Sequence, residues 1–142
     1  MEKLLRFSYK QKAIDKALWL NFEYRIKNKT FGVIQSAKSD YLVVLKNNIM
    51  FEGGVFEKLP NNYLKLSYQN IQIIAMDDDP LNHWEEIRGM LSVLDGELLR
   101  YILHTKIPLE KFIRFELASR GFDKDHKWCG FEKAKEIWFV EC

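Results

Sequence analysis

The sequence predicts an α+β fold: an N-terminal helix and an antiparallel sheet of about four to five strands, then a C-terminal cluster of three to four helices, in one domain over residues 1–142. Three observations predict it. Short runs rich in β-branched and aromatic residues, separated by turn residues, fill the stretch from Leu20 to Met76. Beyond Asp77 the apolar residues recur at three- and four-residue spacing instead. Strand-like and helix-like runs do not alternate, which separates an α+β order from an α/β one.

Taken in order, Ala13, Ile14, Ala17 and Leu18 recur at helical spacing between residues 8 and 18, with Ser8 as a candidate cap. From Leu20 to Ile26 the apolar Leu20, Phe22, Tyr24 and Ile26 alternate with Asn21, Glu23 and Arg25, the period of a half-buried strand. "NKT" then turns into "FGVIQ" (31–35), read as the returning strand, and "AKSD" into "YLVVLK" (41–46), apolar enough for a central strand. "NNIMFEGGVF" suits a further hairpin, because Gly53-Gly54 supplies the positive φ of a tight turn. "KLPNNYLKLSY" reads as loop and "NIQIIAM" (70–76) as a last strand.

Helices are predicted from there on. "PLNHWEEIRGMLSVL" places Leu81, Trp84, Ile87, Leu91 and Leu94 on one broad face. "DGELLRYILHT" offers Asp95 as cap, with Leu98, Leu99, Ile102 and Leu103 as its stripe. In "IPLEKFIRFELASRGF", Pro108 suits the first turn and Gly121 the stop. "DKDHKWCG" is a polar loop, and "FEKAKEIWF" a short final helix with Phe131, Ala134, Ile137 and Trp138 inward.

A chain of 142 residues buries about 70% of its unfolded surface. With 47% hydrophobic and 14% aromatic residues, it needs no metal or disulfide staple to build a core. The net charge of +2 argues against a generic nucleic-acid coat. Its distribution says more. Residues 1–70 carry twelve Lys/Arg against six Asp/Glu, and residues 71–142 carry ten against fourteen. Residues 77–97 alone hold seven acids and one base, Arg88; a fold that keeps the two halves apart would have a basic and an acidic side, the alternative being a solvated helix face that absorbs the acids. The two cysteines, Cys129 and Cys142, form no framework, and reduced thiols in a cytoplasmic protein are the default. No export signal or membrane span is readable.

The densest stretch is "AMDDDPLNHWEE" (75–86). Three consecutive aspartates point different ways and do not converge on one ion, whereas Asp79-Pro80 suits the start of a helix. In "DKDHKWCG", Lys127 and Trp128 stand where a calcium loop wants Asp/Asn and Gly. His126 and Cys129 lack a second close pair for zinc. No nucleophile elbow, cysteine signature or phosphate loop occurs. We therefore expect no catalytic residue, no metal and no cofactor.

The segments "DPLNHWEEIRGMLSVLDGELLRYIL" and "IPLEKFIRFELASRGFDKDHKWCGFEKAKEIW" together resemble the C-terminal part of small bacterial immunity proteins encoded beside polymorphic toxins, including contact-dependent growth inhibition systems. The likeness spans residues 77–138 and lies in Trp84-Glu85-Glu86, the Asp95-Gly96-Glu97 turn, "IPLEKFIRFEL-RGFD" and "GFEKAKEIW". It implies a cytoplasmic, non-catalytic protein that neutralises a cognate toxin, nucleases among the candidates, by covering the active or substrate-binding surface of the toxin's C-terminal domain. No residue role transfers from it.

The residues themselves suggest where such a partner would bind. Carboxylates steer a basic partner, and interface centres favour tryptophan. The candidate partner-binding residues are Asp77, Asp78, Asp79, Trp84, Glu85, Glu86, Asp95 and Glu97. For Trp84 the alternative is core packing on Ile87 and Leu91. A different function stays open: a nucleic-acid-associated or phage-defence regulatory domain using the basic N-terminal sheet, with Tyr9, Trp19, Phe22, Tyr24 and Phe31 as stacking rings.

Overall fold

Ala13, Ile14, Ala17 and Leu20 lie on one helical face, and burying that face organises the N-terminal part of the molecule. The structure, a computed structural model, describes residues 5–47 and 55–140. Their order is β1 (Leu5–Phe7), α1 (Lys10–Glu23), β2 (Phe31–Gln35), β3 (Tyr41–Leu45), α2 (Tyr68–Ala75), α3 (Asn82–Ser92), α4 (Gly96–Thr105), α5 (Leu109–Ser119) and α6 (Phe131–Trp138). They fall into two compact units, Met1–Ser92 and Val93–Cys142.

In the first unit the three strands form an antiparallel sheet in the order β1-β3-β2. Val33 pairs in register with Val43, and both point at the apolar face of α1. Ile34, Leu42 and Val44 point the other way, onto Phe56. Both faces of β2 and β3 are thus covered, which is why their sequences read as apolar runs rather than alternations. Gly32 makes room for the Phe56 ring, since a Cβ there would lie 2.5 Å from it. Asn21 ties α1 to β2 by copying a backbone pair. Its side chain accepts from Phe31 N at 2.6 Å and donates to Phe31 O at 3.1 Å.

Several expectations need correction. The sheet has three strands among the described residues, not four to five, and β1 precedes the N-terminal helix. Residues 20–23 continue α1, because Leu20 and Tyr24 are also a helical i,i+4 pair packed on the core. The other two members of the alternation, Phe22 and Ile26, are 57% and 48% exposed. The cap position of α1 is Tyr9 rather than Ser8. Residues 70–75 belong to helix α2 and Met76 is its C-cap; Ser67 starts the helix by accepting a hydrogen bond from Asn70 N at 3.1 Å. The predicted hairpin turn at Gly53-Gly54 lies outside the described residues.

The second unit is helical. Asp95 caps α4 as its sequence predicts, its Oδ2 accepting from Glu97 N at 3.1 Å and Leu98 N at 3.3 Å. Replacing Asp95 with alanine should lower the stability of this unit by about 1 kcal/mol, read from its urea midpoint. Helices α5 and α6 pack together around Ala118 and Ala134, although Phe131, predicted inward, is 55% exposed. The "DKDHKWCG" loop is organised by Asp123, whose Oδ1 accepts from Asp125 N and Lys127 N, each at 2.9 Å. Trp138 Nε1 donates to Phe122 O at 2.8 Å and fastens α6 to that loop. Among the described residues no helix is long and apolar enough to cross a membrane.

Candidate functional site

α1 has a second face. Gln11, Lys12, Asp15 and Trp19 stand away from the sheet, at the spacing of neighbours on one side of a helix. Asp15 is the exceptional one, a carboxylate 1% exposed. Its Oδ1 accepts from Gln11 Nε2 at 2.8 Å and from the Tyr63 hydroxyl at 2.9 Å. Burial pushes the Asp15 pKa up, and the bonds from Gln11 and Tyr63 and the nearby Trp84 indole oppose that rise. Tyr63 is held protonated, because burial and the adjacent carboxylate both raise its pKa.

Aromatic rings close the floor. Trp84 meets Tyr63 edge-on at 5.3 Å, and His83 stacks on Trp19 at 4.9 Å with the planes 7° apart. Burial lowers the His83 pKa, with Asp15 pulling it up and Lys16 pushing it down. Trp84 Nε1 is fully enclosed and makes no well-aligned hydrogen bond among the described residues, yet it lies near enough to the Asp15 carboxylate to favour its charged form.

Beside this floor opens a cavity of about 590 Å3, lined by residues of α1, α2 and the stretch from Met76 to Trp84. Asp15, Gln11, Gln69 and Gln72 give it polar walls, and Asp77, Asp78 and Asp79 form its acidic lip. A smaller cleft of about 220 Å3 shares Ile74, Asp77, Pro80 and Trp84 with it and adds Glu85 and Arg88. Lys12 reaches into the lip, with Nζ 2.9 Å from Asp77 Oδ2 and 2.6 Å from Asp79 O. That bond holds the Asp77 carboxyl below its usual pKa range.

The sequence-predicted residues therefore divide. Asp77 is engaged by Lys12 and also accepts from Asp79 N at 3.0 Å. Asp79 does not cap α3, since the first helical bond runs from Glu85 N to Leu81 O and leaves Asp79 two positions too early. Asp78, Asp79, Glu85 and Glu86 are exposed. Among the described residues none of these four forms an ion pair. Trp84 is half-buried and lines both cavities, so it packs and faces the opening at once. Asp95 and Glu97 belong to the second unit, where Asp95 caps α4 and Glu97 pairs with Arg100.

Asp15, Gln11 and Tyr63 were not anticipated from the sequence. The available signal was the i,i+4 series Gln11, Asp15 and Trp19, which sets a charge beside an apolar stripe. The rings considered for nucleic-acid stacking stand mainly on α1 and its flanks rather than on the sheet. Tyr24 and Phe31 pack on the core, and Arg25 covers the Phe22 ring at 4.3 Å. Among the described residues no group of three or more metal-ligating side chains occurs. Compared with known protein families, curated proteins and solved structures, the chain shows no significant match to any.

Proposed function

We propose that the chain is an immunity protein that binds a cognate bacterial toxin and neutralises it by covering its active or substrate-binding surface. One observation supports this reading above the others. Three exposed carboxylates without ion-pair partners among the described residues, Asp78 and Asp79 at the larger cavity and Glu85 at the smaller, border openings whose walls share Trp84, and the exposed Glu86 follows Glu85 in the chain. An aromatic anchor inside a charged rim is the arrangement by which proteins dock tightly on a basic partner. The resemblance of residues 77–138 to immunity proteins points the same way. A toxin with a basic cleft, such as a nuclease, is the complementary partner, and long-range attraction would speed its capture.

The test is copurification with the C-terminal domain of a toxin whose gene lies immediately upstream. Replacing Asp78, Asp79, Glu85 and Glu86 together with lysine should weaken toxin binding about 100-fold or more while the circular dichroism spectrum is unchanged. The association rate of the unmodified pair should also fall steeply with added salt. Unchanged affinity in a folded quadruple variant removes this surface as the binding site. Absence of any toxin partner removes the function itself.

A further inference from the structure

We propose that the cavity walled by α1 and α2 is a cation pocket that receives an arginine side chain of the partner protein, with Asp15 as its buried counter-charge. In naming the source of the arginine this rests on the toxin-binding reading; the pocket itself does not.

Four features of the site support it. First, Asp15 lines the cavity although only 1% of it is exposed, with Gln11 and Tyr63 donating to Oδ1 and the Trp84 indole beside the same carboxylate. All of these donors are neutral, and a buried carboxylate favours a charged donor strongly. Second, the charged groups lining the cavity are Asp15, Asp77, Asp78 and Asp79 against Lys12 alone. The Lys12 ammonium is already committed to the Asp77 carboxylate and the Asp79 carbonyl, so the unbalanced charge is negative. Third, about 590 Å3 lies in the range of pockets for organic ligands, roughly 300–1,000 Å3, and well above what a water or bare ion fills. Fourth, the walls suit a guanidinium better than an ammonium. The planar fork of five N–H donors can meet Asp15 together with the side-chain oxygens of Gln69 or Gln72, while Ile73 and Met76 accept the apolar stem.

The shape of the donor selects between sources of the cation, because a free diamine presents only ammonium groups and lacks the planar fork of a guanidinium.

The experiment titrates the full chain with a capped Gly-Arg-Gly peptide, its citrulline counterpart and putrescine, following tryptophan fluorescence and amide NMR shifts. Citrulline keeps the shape and loses the charge, so this comparison needs no variant. The arginine peptide should bind about tenfold or more tighter than the citrulline peptide, and Asp15→Asn should remove that preference. Asp78→Asn, at the exposed lip, should reduce affinity a few-fold and provides a variant with little risk to folding. Equal binding of the two peptides, no saturable binding at millimolar concentration, or full affinity in folded Asp15→Asn overturns the pocket. Tighter binding of putrescine than of the arginine peptide overturns the assignment to a partner's side chain. Peptide binding without any toxin partner keeps the pocket and removes the toxin reading. Toxin binding indifferent to Asp15→Asn does the reverse.

Discussion

Replacing Asp15 with alanine is expected to destabilise the fold by about 3 kcal/mol, whereas asparagine should leave it at least as stable as the unmodified chain at neutral pH. Alanine removes the common acceptor of the Gln11 amide and the Tyr63 hydroxyl, and each half-buried donor is then left without its partner. Asparagine keeps an oxygen in place for both and removes only the charge, whose burial is unfavourable. Urea denaturation of the two variants checks the pair directly.

The pH dependence has a definite sign. Burial raises the Asp15 pKa above 3.8, so the folded state holds this proton more tightly than the unfolded chain does. Stability from this group is therefore complete below its unfolded pKa and is lost as pH rises through the folded one. Asparagine does not titrate. Its stability advantage should accordingly grow from about pH 4 upward and then level off. A difference that stays flat across that range would show that Asp15 is not held in a desolvated state. Asp77 works in the opposite sense, since Lys12 lowers its pKa, and its contribution is lost as pH falls.

Gly121→Ala is the second large effect, with an expected loss of about 3 kcal/mol. Two separate causes add. The residue ends α5 at φ +76°, where an L side chain is strained, and its Cβ would lie 2.3 Å from the Trp128 ring. Moving Trp128 aside would break its edge-on packing against both Phe122 and Phe131. The carbonyl of Gly121 also accepts from Cys129 N at 2.9 Å and Gly130 N at 3.2 Å, so relaxation there disturbs the approach to α6. A melting temperature within a degree of the parent would show that the ring moves aside at no cost.

How much of this could be read from the chain depends on where each decisive contact lies. β2 and β3 were legible because two-sided burial writes continuous apolar runs between turn residues. Asp95 and Gly121 were legible because caps are local chemistry. The segment 20–26 was misread because Leu20 and Tyr24 satisfy both a two-residue and a four-residue period, and only packing on the sheet decides between them. Residues 70–76 carry three isoleucines that favour a strand, yet Ser67 nucleates a helix. β1 has three residues and no periodicity to detect. Of the candidate site, the acidic lip and Trp84 stood out by composition. Asp15 did not, because its character comes from Tyr63, 48 residues away, and from Trp84 on another helix.

The strand order β1-β3-β2 has a consequence for synthesis. β1 leaves the ribosome before β2 and β3, yet it cannot pair with its partner in the sheet until β3 has emerged. The β2–β3 hairpin closes locally through Ser36 N to Asp40 O at 2.8 Å, on the microsecond scale of such turns. Asp40 then clamps Arg6 at 2.7 Å and so recruits the waiting strand to the finished hairpin. Of these three strands, the first made is therefore expected to be the last secured. Until then its backbone edge stays open, a strand waiting within the nascent chain for its partner.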